Sequence, residues 1–174
     1  MHRFISLFIF FSICVVHSAK AHSTGYESFK PVAGETTYRY LFWDVYSAQL
    51  FTPTGQYNPE DPLALLLTYK MTLKGKDIAE RSIKEMRLQG LKDKSKQVAW
   101  GNTLKTIFPD VGDGDVLLGQ KNADGSTSFY YNNNQIGFID DADFTSWFFN
   151  IWLGQKTSEP ALRAELLGLE GNKK

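Results

Sequence analysis

The stretch F-T-S-W-F-F-N-I-W-L-G-Q-K-T-S-E-P-A-L-R-A-E-L-L-G, Phe144 to Gly168, sets the reading of the whole chain. Its first half is one very apolar helix, with Trp147, Phe148, Phe149 and Trp152 leaving hardly any polar side. Such a helix must face a cavity or another element on several sides, because water cannot wet it from any direction. Asp140 or Asp141 caps its start and Gly154 stops it after Leu153. Ser158 is placed to cap a second, shorter helix that closes at Gly168. The carboxylates Asp140, Asp141 and Asp143 therefore read as caps and dipole partners rather than as a general acid–base group.

Working outward, the spacing predicts strands, two helices, strands and two helices. Thr36 to Phe51 is aromatic and β-branched, and a bend near Trp43-Asp44 divides it into two strands. Thr52 to Pro62 is a proline-bearing surface loop. Leu63 to Leu73 is the clearest strand, with Leu63, Leu65, Leu67, Tyr69 and Met71 on one face, and Lys74-Gly75-Lys76 turns the chain. Asp77 starts a helix that sends Ile78, Ile83 and Met86 to the core and ends at Gly90. A charged crossover, Lys92 to Lys96, leads to a helix marked by Val98, Gly101, Leu104 and Phe108 and stopped by Pro109. Asp115 to Lys121, Ser126 to Asn132 and Gln135 to Ile139 form antiparallel strands joined by Asp-Gly and Asn-Asn turns. The class is α+β: an antiparallel sheet with helices on one face.

Residues 1–21 read as a secretory signal: Met1-His2-Arg3, an apolar run from Phe4 to Val16, then Ala19-Lys20-Ala21. The run is short of the roughly 20 apolar residues a membrane-spanning helix needs. The expected organisation is a signal over 1–21, a loosely held lead-in over 22–35 and one domain over 36–170. The expected location is the periplasm, with no transmembrane segment once the signal is cleaved. Cys14, the one cysteine, falls within the signal, so the exported chain has no thiol and no disulfide to lean on. Charge is balanced at 19 basic against 19 acidic residues. Without a basic cluster, nothing points to nucleic acid as a partner.

Catalytic chemistry has little to work with. Past the signal there is no cysteine, no G-x-S-x-G elbow, and one histidine, His22, at the new terminus. Asp110, Asp113 and Asp115 lack the distal glutamate of a calcium loop, so no metal is expected and turn chemistry accounts for them. No cofactor motif is present. Arg81, Lys84, Glu85 and Arg87 read as a solvated charged face. Arg39 stands out, mid-strand among Tyr38, Tyr40, Leu41 and Trp43. It lies on the solvent face, pairs with a carboxylate, or anchors an anion inside a cleft.

This order of elements, with Y-R-Y-L-F-W-D-V-Y (Tyr38 to Tyr46) and the Trp100…F-P-D-V…G-D segment (Phe108 to Asp115), resembles the chalcone isomerase-like family, and more closely its exported bacterial branch. The resemblance implies an open-faced sandwich, with a ligand cleft between a large antiparallel sheet and the helices over one side. It implies a strand arginine at Arg39 as an anion anchor, and Tyr46, Glu85 and Trp152 as cleft residues. It also implies losses. Where the plant enzymes carry tyrosine, asparagine and two threonines, this chain has Ile78, Glu85, Ile151 and Leu41, so the groups that steady a developing enolate are missing. The expectation is a non-catalytic protein holding a small apolar anion, such as a fatty acid, in that cleft. An isomerase or intramolecular lyase on another substrate is the alternative; so is a scaffold for a protein partner, with Trp152 filling the cleft.

Overall fold

A computed structural model describes residues 25–169; the signal-like segment, Cys14 and His22 lie outside the described residues. Seven strands make one antiparallel sheet: β1 (Lys30–Pro31), β2 (Thr36–Tyr40), β3 (Trp43–Thr52), β4 (Leu63–Tyr69), β5 (Val116–Lys121), β6 (Thr127–Tyr131) and β7 (Asn134–Ile139). The order across it is β1-β3-β4-β5-β6-β7, with β2 also paired to β3. The ten-residue β3 thus carries two partners along one edge, β2 against its first half and β1 against its end. Four helices complete the described residues: α1 (Gly75–Gln89), α2 (Lys94–Ile107), α3 (Ala142–Leu153) and α4 (Pro160–Leu166).

The helices gather on one face of the sheet, over Leu63, Leu65, Leu67 and Tyr69 of β4 and Phe129 of β6. Side chains alternate along a strand, so Ala64 and Leu66 point the other way, where Leu118 and Tyr130 join them. That second face is not bare. Tyr26 and Phe29 pack on it, Val32 N donates to Leu50 O, and Lys30 pairs with Thr52. From Tyr26 to Val32 the lead-in is therefore held by apolar burial and sheet pairing.

α3 meets its expectation. Asp141 caps it by accepting from the N–H groups of Asp143 and Phe144, and Phe144, Phe149 and Leu153 are buried. Phe108, Phe129, Phe144, Phe148 and Trp152 form a chain of mostly edge-to-face ring contacts between helices and sheet.

Several local readings change. Lys74-Gly75-Lys76 is the start of α1 and not a turn. A Cβ on Gly75 would lie 2.1 Å from the Phe108 carbonyl oxygen, so only glycine lets the two segments approach. Asp110 fixes that junction by accepting from Gly75 N at 3.0 Å and from Lys74 at 2.7 Å. The crossover is shorter than expected, because Asp93 accepts from Lys96 N and begins α2 at Lys94. Gly101, Leu104 and Phe108 are buried as expected, with Trp100 beside them, while Val98 is exposed. The strand at 63–73 ends at Tyr69, and Leu73 makes only an isolated bridge to Val111. Ser158 does not cap α4, whose N-cap is Glu159 without a side-chain bond; its hydroxyl is turned elsewhere.

Candidate ligand cavity

Between the helix-facing side of the sheet and α1, α3 and α4 lies a cavity of about 370 Å³. That falls within the roughly 300–1,000 Å³ typical of small-molecule sites. Leu65, Leu67, Leu117, Phe129, Phe148 and Ile151 make its deep wall, and Ile78 and Leu162 close its sides. The cavity stays open beside Trp152, because that ring is pinned aside: its Nε1 donates to Tyr46 Oη at 2.9 Å. Burial pushes the Tyr46 phenol well above the usual tyrosine range, and the Trp152 N–H offsets only part of that rise. At neutral pH, Tyr46 is therefore an uncharged wall residue.

Polar groups collect at one end. Arg81 and Glu85 stand one turn apart on α1, with Arg81 Nε 2.6 Å from Glu85 Oε1. The Glu85 side chain is 5% exposed, that of Arg81 45%. Glu85 Oε2 accepts from the Ser158 hydroxyl at 2.7 Å. Oε1 is shut off from solvent and sits against the guanidinium. Tyr38 lies within reach of Arg81, whose charge works against the burial that raises its phenol. Asp77 and Glu159 also line the cavity, while Arg81 is its one basic side chain among the described residues. Tyr40, Asp77, Arg81 and Ser158 are both lining and exposed, which puts the mouth at this polar end. The arrangement is amphipathic: an ionic cluster at the entrance, hydrocarbon beyond it.

Of the four residues expected in the cleft, the structure brings together Tyr46, Glu85 and Trp152 and leaves out Arg39. Tyr38 and Tyr40 face the cavity, so the residue between them faces away. Arg39 is 68% exposed and bonds Asp44 through Nε at 2.5 Å, across a bulge that shifts the register after Tyr38. Leu41, a cleft position that the resemblance implies, sits instead in the exposed β2–β3 turn. Ile78 and Ile151 do line the cavity, and neither can donate or accept a hydrogen bond.

The cleft cation is Arg81. Its neighbours held the signal: Ile78, Arg81, Ser82 and Glu85 follow i, i+3, i+4, i+7, the stripe of a core-facing helix side. Lys84 and Arg87 on the same helix mask that stripe, because they point to solvent.

The chalcone isomerase-like family model matches residues 33–168. The chain belongs to the chalcone isomerase-like family. An uncharacterised protein of Haemophilus influenzae is 32% identical over 136 residues, covering 78% of this chain. The match spans 66% of that protein's own length, just under two thirds. Among solved structures, a fatty-acid binding protein of Arabidopsis thaliana superposes with a TM-score of 0.61 over 81% of this chain and 87% of that one. At 11% identity that likeness speaks for the fold: the α+β open-faced sandwich expected from the resemblance. Among the described residues no helix is long and apolar enough to cross a membrane. No group of three or more His, Cys, Asp or Glu among them is placed to hold a metal ion.

Proposed function

We propose that this family member is a non-catalytic binding protein for a small amphipathic acid, a fatty acid being the model ligand. The observation that carries this reading is a mostly hydrocarbon-lined cavity whose charged groups gather at its mouth around Arg81. Apolar surface leaving water drives the chain of such a ligand inward, and the head group is left beside Arg81. Catalysis of the plant type is disfavoured by Ile78 and Ile151 on the lining, where an enolate would need hydrogen-bond donors.

Glu85 sets the head-group chemistry. It already faces Arg81, so an acid entering the site shares the guanidinium rather than meeting an unopposed cation. A ligand that keeps its proton meets no repulsion from the Glu85 carboxylate and can still accept from Arg81. Binding should therefore tighten as pH falls toward the range where carboxylic acids protonate. We further propose that the chain is exported to the periplasm, a reading supported by the basic start, apolar run and Ala-Lys-Ala of residues 1–21.

The test is a titration of the protein with palmitate, followed by displacement of a fluorescent fatty acid, in wild type, Arg81→Ala and Glu85→Gln. One saturable site weakened at least about tenfold in Arg81→Ala is expected, in line with the roughly 1.5–3 kcal/mol of a hydrogen bond to a charged group. Glu85→Gln should lose the pH dependence. No saturable site in the wild type would sink the reading.

A further inference from the structure

The β2–β3 hairpin ends in four consecutive large apolar side chains that no other element among the described residues covers. Tyr40, Leu41, Phe42 and Trp43 are 57%, 75%, 96% and 68% exposed. Single exposed apolar residues are ordinary; four adjoining ones at a protruding tip are not. The backbone is strained to present them. Leu41 holds φ +56°, at the first central position of a two-residue turn, where glycine is the usual occupant. A bulky residue kept at positive φ without a stabilising contact points to use rather than to folding.

We propose that this tip is a membrane anchor, which inserts into the interface of a lipid bilayer and sets the cavity mouth against the lipid. The order of residue types favours a bilayer. Leu41 and Phe42 form the apex, and Tyr40 and Trp43 flank them, the two side chains that settle at head-group depth with an apolar body and a polar tip. The area disfavours a protein partner. A large aromatic side chain covers about 150–250 Å². Three such side chains and a leucine, each partly exposed, fall short of the roughly 800 Å² per partner of a stable protein interface.

Charge defines the lipid. The tip itself carries none, and Arg39 and Asp44 at its base neutralise each other at 2.5 Å. Zwitterionic lipid is therefore sufficient, and binding is insensitive to salt. Tyr40 joins the two features, since it belongs to the tip and also lines the cavity. An amphiphile leaving the bilayer beside the tip would meet the cavity without crossing open water. Only that last step rests on the binding reading; docking does not depend on what the cavity holds.

The experiment is flotation of the protein with extruded phosphatidylcholine vesicles, at low and high salt, with tryptophan emission recorded alongside. The comparison variant is Leu41→Gly with Phe42→Asn, a Gly-Asn pair that suits a tight hairpin and removes the apex without threatening the fold. The wild type should float at both salt concentrations with a blue-shifted emission, and the variant should lose at least about tenfold in vesicle partitioning. Decanoate, supplied as monomers, should bind both proteins alike, so a failed anchor is separable from a failed cavity. A wild type that stays with the buffer, or a variant that floats equally well, overturns the proposal. So does a wild type that elutes as a dimer which the variant dissolves, since the tip would then cover a second copy of this chain.

Discussion

The β6–β7 hairpin turns through Asn132 and Asn133, the β2–β3 hairpin through Leu41 and Phe42, and each has just two residues between paired strands. In the first, both residues sit at positive φ, +47° and +67°, where asparagine is well tolerated. Asn132 also ties the turn down: its Oδ1 accepts from Val116 N at 2.9 Å and its Nδ2 donates to Asp115 at 2.9 Å. In the second, Leu41 takes a positive φ with no such compensation, and Phe42 is almost wholly in water. One hairpin has the residues its backbone asks for. The other breaks both the turn rule and the solvent rule at the mouth of the cavity. Where a sheet keeps a local conflict at one end and resolves the same problem at the other, the conflict marks the working end.

Exchanging the two chemistries should expose the difference. Asn132→Leu with Asn133→Phe puts two bulky residues into left-handed backbone, at roughly 1–2 kcal/mol each, and removes two bonds. A loss of about 3 kcal/mol in urea unfolding is expected; a loss below about 1 kcal/mol would mean that the turns are equivalent.

Deeper along β3, the hairpin does invest in stability, through the Tyr46–Trp152 bond. Tyr46→Phe should cost about 1–2 kcal/mol by leaving the indole N–H without its acceptor. It should also change the alkaline limb. Folding favours the neutral phenol, so its contribution is whole below about pH 10 and is lost as the unfolded chain begins to ionise. Denaturation curves from pH 8 to 11 should fall less steeply in the variant; identical slopes would remove Tyr46 from the account.

Leu41→Gly with Phe42→Asn should leave the protein as stable as before or about 1 kcal/mol more so, since it relieves the left-handed leucine. A destabilisation above 1 kcal/mol would show that the tip is part of the fold. The smallest effect belongs to Arg39→Ala. Its exposed pair with Asp44 should be worth well under 1 kcal/mol, and ligand binding should not change.

The helical and strand periods made most of the fold legible. The near-continuous apolar surface of α3 predicted an element buried on several sides, and the structure uses those sides for core, sheet and cavity. Turn residues located the strands from Val116 to Ile139 to within a residue or two. The site was harder to read. Arg39 drew attention because it is a charge within an aromatic strand, but strand alternation puts it opposite Tyr38 and Tyr40. Arg81 was hidden among other charges on α1, where only its register with Ile78 and Ser82 reveals that it faces inward. Ser158 has two possible duties, capping α4 or serving Glu85, and a sequence cannot choose between partners 73 positions apart. The packing of Tyr26 and Phe29 on the rear face depends on the same kind of distant contact.

The most direct test of the account is to compare palmitate binding by Arg81→Ala and Arg39→Ala with that of the wild type, by native mass spectrometry and titration of the same samples. The predicted result is one bound ligand per chain in the wild type and in Arg39→Ala, and a loss of at least about tenfold in Arg81→Ala. Binding that survives Arg81→Ala and fails in Arg39→Ala would contradict the account, as would a wild type that takes up no ligand.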